Sequence, residues 1–162
     1  MLMADALDIK GNLTIQKISA NHQIIETIHA HNNIVTTGRD LVAKLFIRQS
    51  VGTISFFAVG AGSNPVIPSE KTLNRESFRK KLPELDPENL EKITLSDGKS
   101  ERIKLTIKAD LETGEANGTL TEAALFTANE GGQNSIMYNR VVFTPINKTP
   151  DFKLTLVWEI LF

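Results

Sequence analysis

Hydrophobic and polar residues alternate along much of this chain with a period of two. The pattern is clearest over 102–111, where Ile103, Leu105, Ile107, Ala109 and Leu111 take turns with Arg102, Lys104, Thr106, Lys108 and Asp110. One face of such a strand is buried and the other is wet. Residues 152–162 repeat the pattern, with Phe152, Leu154, Leu156, Trp158, Ile160 and Phe162 on one face. Trp158 is therefore assigned to the core, and this last strand is expected to pack inside a core or an interface.

Two further runs, 7–18 and 24–35, are dominated by β-branched residues around Ser19, Ala20, Asn21 and His22 and predict a long hairpin. Gly11 and Asn12 mark an expected bulge in its first strand. The period then changes. Thr37 and Asp40 have the spacing of a capping box, and Leu41, Val42, Leu45 and Phe46 recur at helical intervals, predicting one helix over 38–49 with Leu45 and Phe46 in the core. Arg39, Lys44 and Arg48 would face solvent. Residues 54–59 form an apolar run buried on both faces, closed by Gly60-Ala61-Gly62, whose glycines are expected to turn the chain through positive φ. A loop follows over 63–68, then a short helical turn or edge strand over 73–82 and an acidic loop over 83–91. Further strands are expected over 119–127 and 135–145, the latter carrying Phe143 into the core, with loops at 112–118, 128–133 and 146–151. Many short strands and one helix predict a mainly β fold: a single antiparallel β-sandwich domain over 1–162 with one short α-helix at about 38–49.

Composition narrows the function classes. The 162 residues contain no cysteine and carry a formal charge of -1. This excludes disulfides and thiolate metal sites and gives no electrostatic reason to expect nucleic acid or an acidic membrane as partner. The first nine residues include Asp5 and Asp8 and lack a basic region followed by an apolar run, so no secretory signal is expected. No stretch approaches the ~20 apolar residues of a membrane span.

Candidate chemistry is sparse. Gly60-x-Gly62 lacks the third glycine and the Gly-Lys-Ser/Thr ending of a phosphate loop. His29 and His31 lie two apart on one strand face and could share a metal, but a third ligand would have to come from symmetry, with the strand on an oligomer axis. Glu76, Arg79, Glu122 and Arg140 are charges set among apolar runs. Glu122 with Arg140 is the pair expected to bridge neighbouring strands. No nucleophile motif is present, so catalysis and cofactors are not expected. Tyr138 and Trp158 would form a sugar-stacking platform only if exposed.

In order along the chain stand Asn33-Ile34-Val35-Thr36-Thr37-Gly38-Arg39-Asp40, Phe57-Ala58-Val59-Gly60-Ala61-Gly62, Gly118-Thr119-Leu120-Thr121-Glu122-Ala123-Ala124-Leu125-Phe126 and Tyr138-Asn139-Arg140-x-x-Phe143-x-Pro145-x-x-Lys148. Leu154-x-Leu156-x-Trp158-x-Ile160 closes the series. Together these segments resemble a family of structural proteins associated with the tails and fibres of tailed bacteriophages, with related modules in contractile injection systems. The resemblance spans about 33–162. It implies a non-enzymatic virion protein in the tail, fibre or baseplate region, made in the host cytoplasm and assembled with itself, as a trimer or hexamer, and with other virion proteins. Capsid decoration, a collar or adaptor role, and carbohydrate binding for host attachment are the alternatives. The N-terminal hairpin, 1–36, or the terminal strand is the expected docking element.

Overall fold

The computed structural model describes residues 9–49, 52–128 and 135–162. The expected strand start at Leu7 and most of the loop expected over 128–133 lie outside the described residues. The fold is mainly β. Nine strands are joined in one antiparallel sheet in the order β4-β3-β7-β8-β2-β1-β9-β6-β5. They are β1 Lys10–Ser19, β2 Ile24–Ile34, β3 Ile54–Gly60, β4 Glu76–Lys81, β5 Leu90–Thr94, β6 Glu101–Leu111, β7 Gly118–Thr127, β8 Asn139–Lys148 and β9 Phe152–Leu161. The helix α1, Thr36–Phe46, connects β2 to β3.

The sheet divides into two halves at a narrow join. β2 and β8 pair only through Asn33 with Arg140 and Ile34 with Asn139. On one side of the join lie β5, β6, β9, β1 and β2, and on the other β8, β7, β3 and β4. Phe57 of β3 nevertheless meets Trp158 of β9, ring centroids 6.2 Å apart, although β7, β8, β2 and β1 intervene in the hydrogen-bonded order. The sheet therefore folds over and its halves face each other. Their inner faces share one core, to which the first half contributes Leu13, Ile107, Leu156 and Trp158 and the second Phe57, Val59, Leu125 and Val141. Trp158 and Phe143 are buried, as expected.

β3 and β7 are buried on both faces, which explains their unbroken apolar runs. Phe57, Val59 and Leu125 turn inward. Ala58, Ala124 and Phe126 turn outward and pack with Val35, Leu73 and Met137 in a second cluster.

Several local expectations are corrected. The register of β1 with β2 runs unbroken through Gly11 and Asn12, and the irregularity falls between Lys17 and Ile18, opposite Ile24 and Glu26. Gly60 and Gly62 are not at positive φ. They are glycine for space: a Cβ on Gly60 would strike the Arg75 carbonyl, and one on Gly62 would strike the Glu122 carboxylate and the Asn74 side chain. The region 83–91 contains a 3₁₀ turn, Pro87–Asn89, before β5 begins, and β8 continues to Lys148, so the loop expected over 146–151 shrinks to a tight turn.

The helix differs most. It starts two residues before the expected point and has no side-chain cap, its N-cap being Val35. Thr37 instead donates from Oγ1 to the Met137 carbonyl at 2.7 Å. Gly38 and Leu41 are buried, whereas Leu45 and Phe46, expected in the core, are 61% and 82% exposed. The stripe 41, 42, 45, 46 has helical spacing, but only the first half of the helix docks, against Tyr138. Its last turn stays exposed, with Leu45 forming part of the wall of a cleft.

Candidate functional site

The expected pair of Glu122 on β7 and Arg140 on β8 is present and sealed from solvent, both side chains being 0% exposed. Arg140 Nε donates to Glu122 Oε2 at 2.8 Å. Its Nη1 donates to the Asn64 carbonyl and to the Glu70 carboxylate, and Nη2 donates to Asn74 Oδ1. The Glu122 carboxylate also accepts from the backbone N–H groups of Gly62, Asn74 and Arg75, at 3.0, 3.1 and 2.7 Å. A buried ion pair persists only when its remaining donors and acceptors are satisfied, and here the 61–75 loop satisfies them. The cluster fastens that loop to the outer face of β7 and β8. With Glu122 and Arg140 both sealed from solvent, the cluster acts as an anchor for that loop.

Glu76 and Arg79 also pair, Nε to Oε1 at 2.8 Å, and the Arg79 guanidinium lies 3.8 Å from the centroid of the Phe126 ring, a stacked cation. A second buried cation, Lys148, is caged at the end of β8. Its Nζ donates to the carbonyls of Glu112, Thr113 and Thr149 and to Asn117 Oδ1. Burial pushes its pKa down, and the nearby Glu115 and Glu112 oppose that shift.

Tyr138 and Trp158 are both buried, so neither presents a ring to a sugar and the stacking platform is not formed. Neither the Tyr138 hydroxyl nor the Trp158 indole N–H has a hydrogen-bond partner among the described residues. Desolvation raises the Tyr138 pKa to about 12, partly offset by the charge of Arg39.

His29 and His31 lie on the exposed face of β2. The Nδ1 of His29 is 3.1 Å from Thr14 Oγ1, and among the described residues no three His, Asp or Glu side chains converge as a metal site.

Two surface features remain uncovered. Beyond the join, β2 has no strand partner on its outer edge from Ile24 to Asn32 among the described residues, and Ile24 and Ile25 are exposed. At the open end of the folded sheet lies a cleft of about 740 Å³, walled by Val42 and Leu45 of α1, by Leu82 and Leu85 after β4, and by Leu90 and Phe162 of the five-stranded half. That is the size of an ordinary ligand cleft. Its rim carries Lys81, Glu84 and Asp86.

Sequence reasoning located Glu122 and Arg140 because opposite charges stood inside apolar strands. It missed Glu70, Asn74 and the Lys148 cage, whose partners come from loops without periodicity. The cleft is not legible in the sequence because its walls come from α1, the segment after β4, β5 and the chain's last residues, which are far apart along the chain. Comparison with known proteins returns no match of this chain to a family model, a curated protein or a solved structure.

Proposed function

We propose that this chain is a non-enzymatic structural subunit of a tailed-phage or phage-tail-like particle, assembled with copies of itself in the tail, fibre or baseplate region. The order and spacing of its motifs motivate the particle. The observation that carries assembly is the open edge of β2. Isolated soluble domains blunt a long edge strand with charged side chains, proline or a covering element. The edge from Ile24 to Asn32 carries a single acidic charge, Glu26, no lysine and no proline, and shows two exposed isoleucines near the hairpin tip. Such an edge suits addition of a strand from a neighbouring subunit. The buried charges, by contrast, are used in holding loops and supply no reacting group.

The test has two arms. Light scattering across a concentration series is expected to give a stable oligomer, and Ile25→Lys, a charge on the open edge, is expected to dissociate it without loss of fold. Mass spectrometry of particles purified from a lysate of the source cells is expected to find the chain in stoichiometric amount. A strict monomer that is absent from particles would sink the proposal.

A further inference from the structure

The last turn of α1 presents an apolar projection beside an apolar hollow on the same molecule. Phe46 is the most exposed large hydrophobic side chain among the described residues, and Ile47 beside it is also exposed. Leu45, the preceding residue, forms part of the cleft wall. A hydrophobic knob and an apolar hollow that no described residue fills are each unfavourable in water and mutually complementary. Phe46 is not among the residues that line its own cleft, although Leu45 beside it is, so it is free to enter one belonging to another copy.

Charge supports the same pairing. Arg48 follows the knob and is exposed, Glu84 on the cleft rim is likewise exposed, and neither has an ion-pair partner among the described residues. Entry of a Phe46-Ile47 knob into a second copy's cleft brings that copy's Glu84 towards Arg48. Lysine 44, by contrast, is already committed to Asp40 one helical turn away.

We infer that the cleft is a self-association site, taking Phe46 and Ile47 of a second copy of this chain, with Arg48 paired to Glu84 across the contact. Since knob and hollow lie at one end of the molecule, the exchange is reciprocal about a two-fold axis, the closed isologous arrangement. The site rests on the assembly reading above but uses a different surface from the β2 edge.

The experiment compares the wild type with Phe46→Ser, Arg48→Glu, Glu84→Arg and the Arg48→Glu/Glu84→Arg double variant by light scattering and thermal melting. Phe46 is 82% exposed, so Phe46→Ser is expected to keep the monomer's fold while weakening association about thirty-fold, the size of a central hot-spot loss. Each charge reversal is expected to weaken it by about five-fold and the double reversal to restore it, as direct cross-contact pairing demands. If Phe46→Ser keeps the wild-type mass while Ile25→Lys dissociates the oligomer, this inference is overturned and the assembly reading stands. If the single reversals weaken association and the double variant does not recover, Arg48 and Glu84 do not meet and the placement is wrong. A wild type that stays monomeric throughout overturns both, and the cleft is then left for a different occupant.

Discussion

At the residue scale, Tyr138 offers a clean measurement because it is the only tyrosine. Burial raises its pKa from 10.0 to about 12. In the unfolded chain the phenol ionises near 10, while the folded chain holds the proton until about 12. Between those values the folded state therefore binds more protons, and stability must fall as pH rises, by about 1.4 kcal/mol per unit. A tyrosinate absorbance titration is expected to stay flat until well above the ordinary value and then rise together with unfolding. Tyr138→Phe removes a hydroxyl that has no partner among the described residues. That change is expected to raise the melting temperature and flatten the alkaline slope, since an unpaired buried hydroxyl costs ~1–3 kcal/mol. The Glu122 cluster runs the other way. Glu122→Gln leaves the buried Arg140 with the Glu70 carboxylate as its charge partner among the described residues, and a loss of about 3 kcal/mol, the low end for a broken buried pair, is expected in denaturant titration. Arg140→Lys should also destabilise, because an ammonium cannot serve Glu122, Glu70, Asn64 and Asn74 from one planar fork. This pair was legible in the sequence because charge inside an apolar strand demands a partner. Its loop partners were not, because Glu70 and Asn74 sit where no periodicity fixes which way a side chain faces.

At the element scale, α1 separates propensity from packing. Gly38 lies in its first turn, where alanine would favour the helix by about 1 kcal/mol. A Cβ there, however, would run into the Tyr138 backbone carbonyl, and backbone cannot step aside as a flexible side chain does. Gly38→Ala is therefore expected to destabilise the protein despite its better propensity. Hydrogen exchange should report the loss first in amides over 36–46. A stabilised variant with unchanged protection would show that the helix is not held where Tyr138 meets it. The same element marks the limit of pattern reading. Leu41 and Leu45 are equivalent in helical periodicity, yet Leu41 is buried and Leu45 exposed, because periodicity fixes a face and not how far along the helix a partner extends. β6 fails in the same way: Ile107, Ala109 and Leu111 are buried as alternation requires, while Ile103, on the same face, is exposed where the opposite half of the sheet no longer covers it. β9 was read correctly along its length because it lies between β1 and β6, in the middle of its half.

At the scale of the whole molecule, the two halves are joined by only two residue pairs but share one core. Backbone pairing alone would let them separate, whereas burial couples them. Phe57 and Trp158 meet across the fold, each almost wholly buried, so opening either half exposes the inner face of the other. Apolar burial of this kind is non-directional and scales with area, and the join contributes little against it. A single cooperative transition is therefore expected. Trp158 fluorescence, which reports the five-stranded half, should coincide in denaturant with hydrogen exchange of amides in β7, which lies in the other half. Phe57→Ala is expected to lower the stability of both by the same amount, about 3–5 kcal/mol, the usual cost of an emptied aromatic site. If β7 amides open at a markedly lower free energy than those of β9, the halves are separate cooperative units and the shared core is weaker than its composition implies.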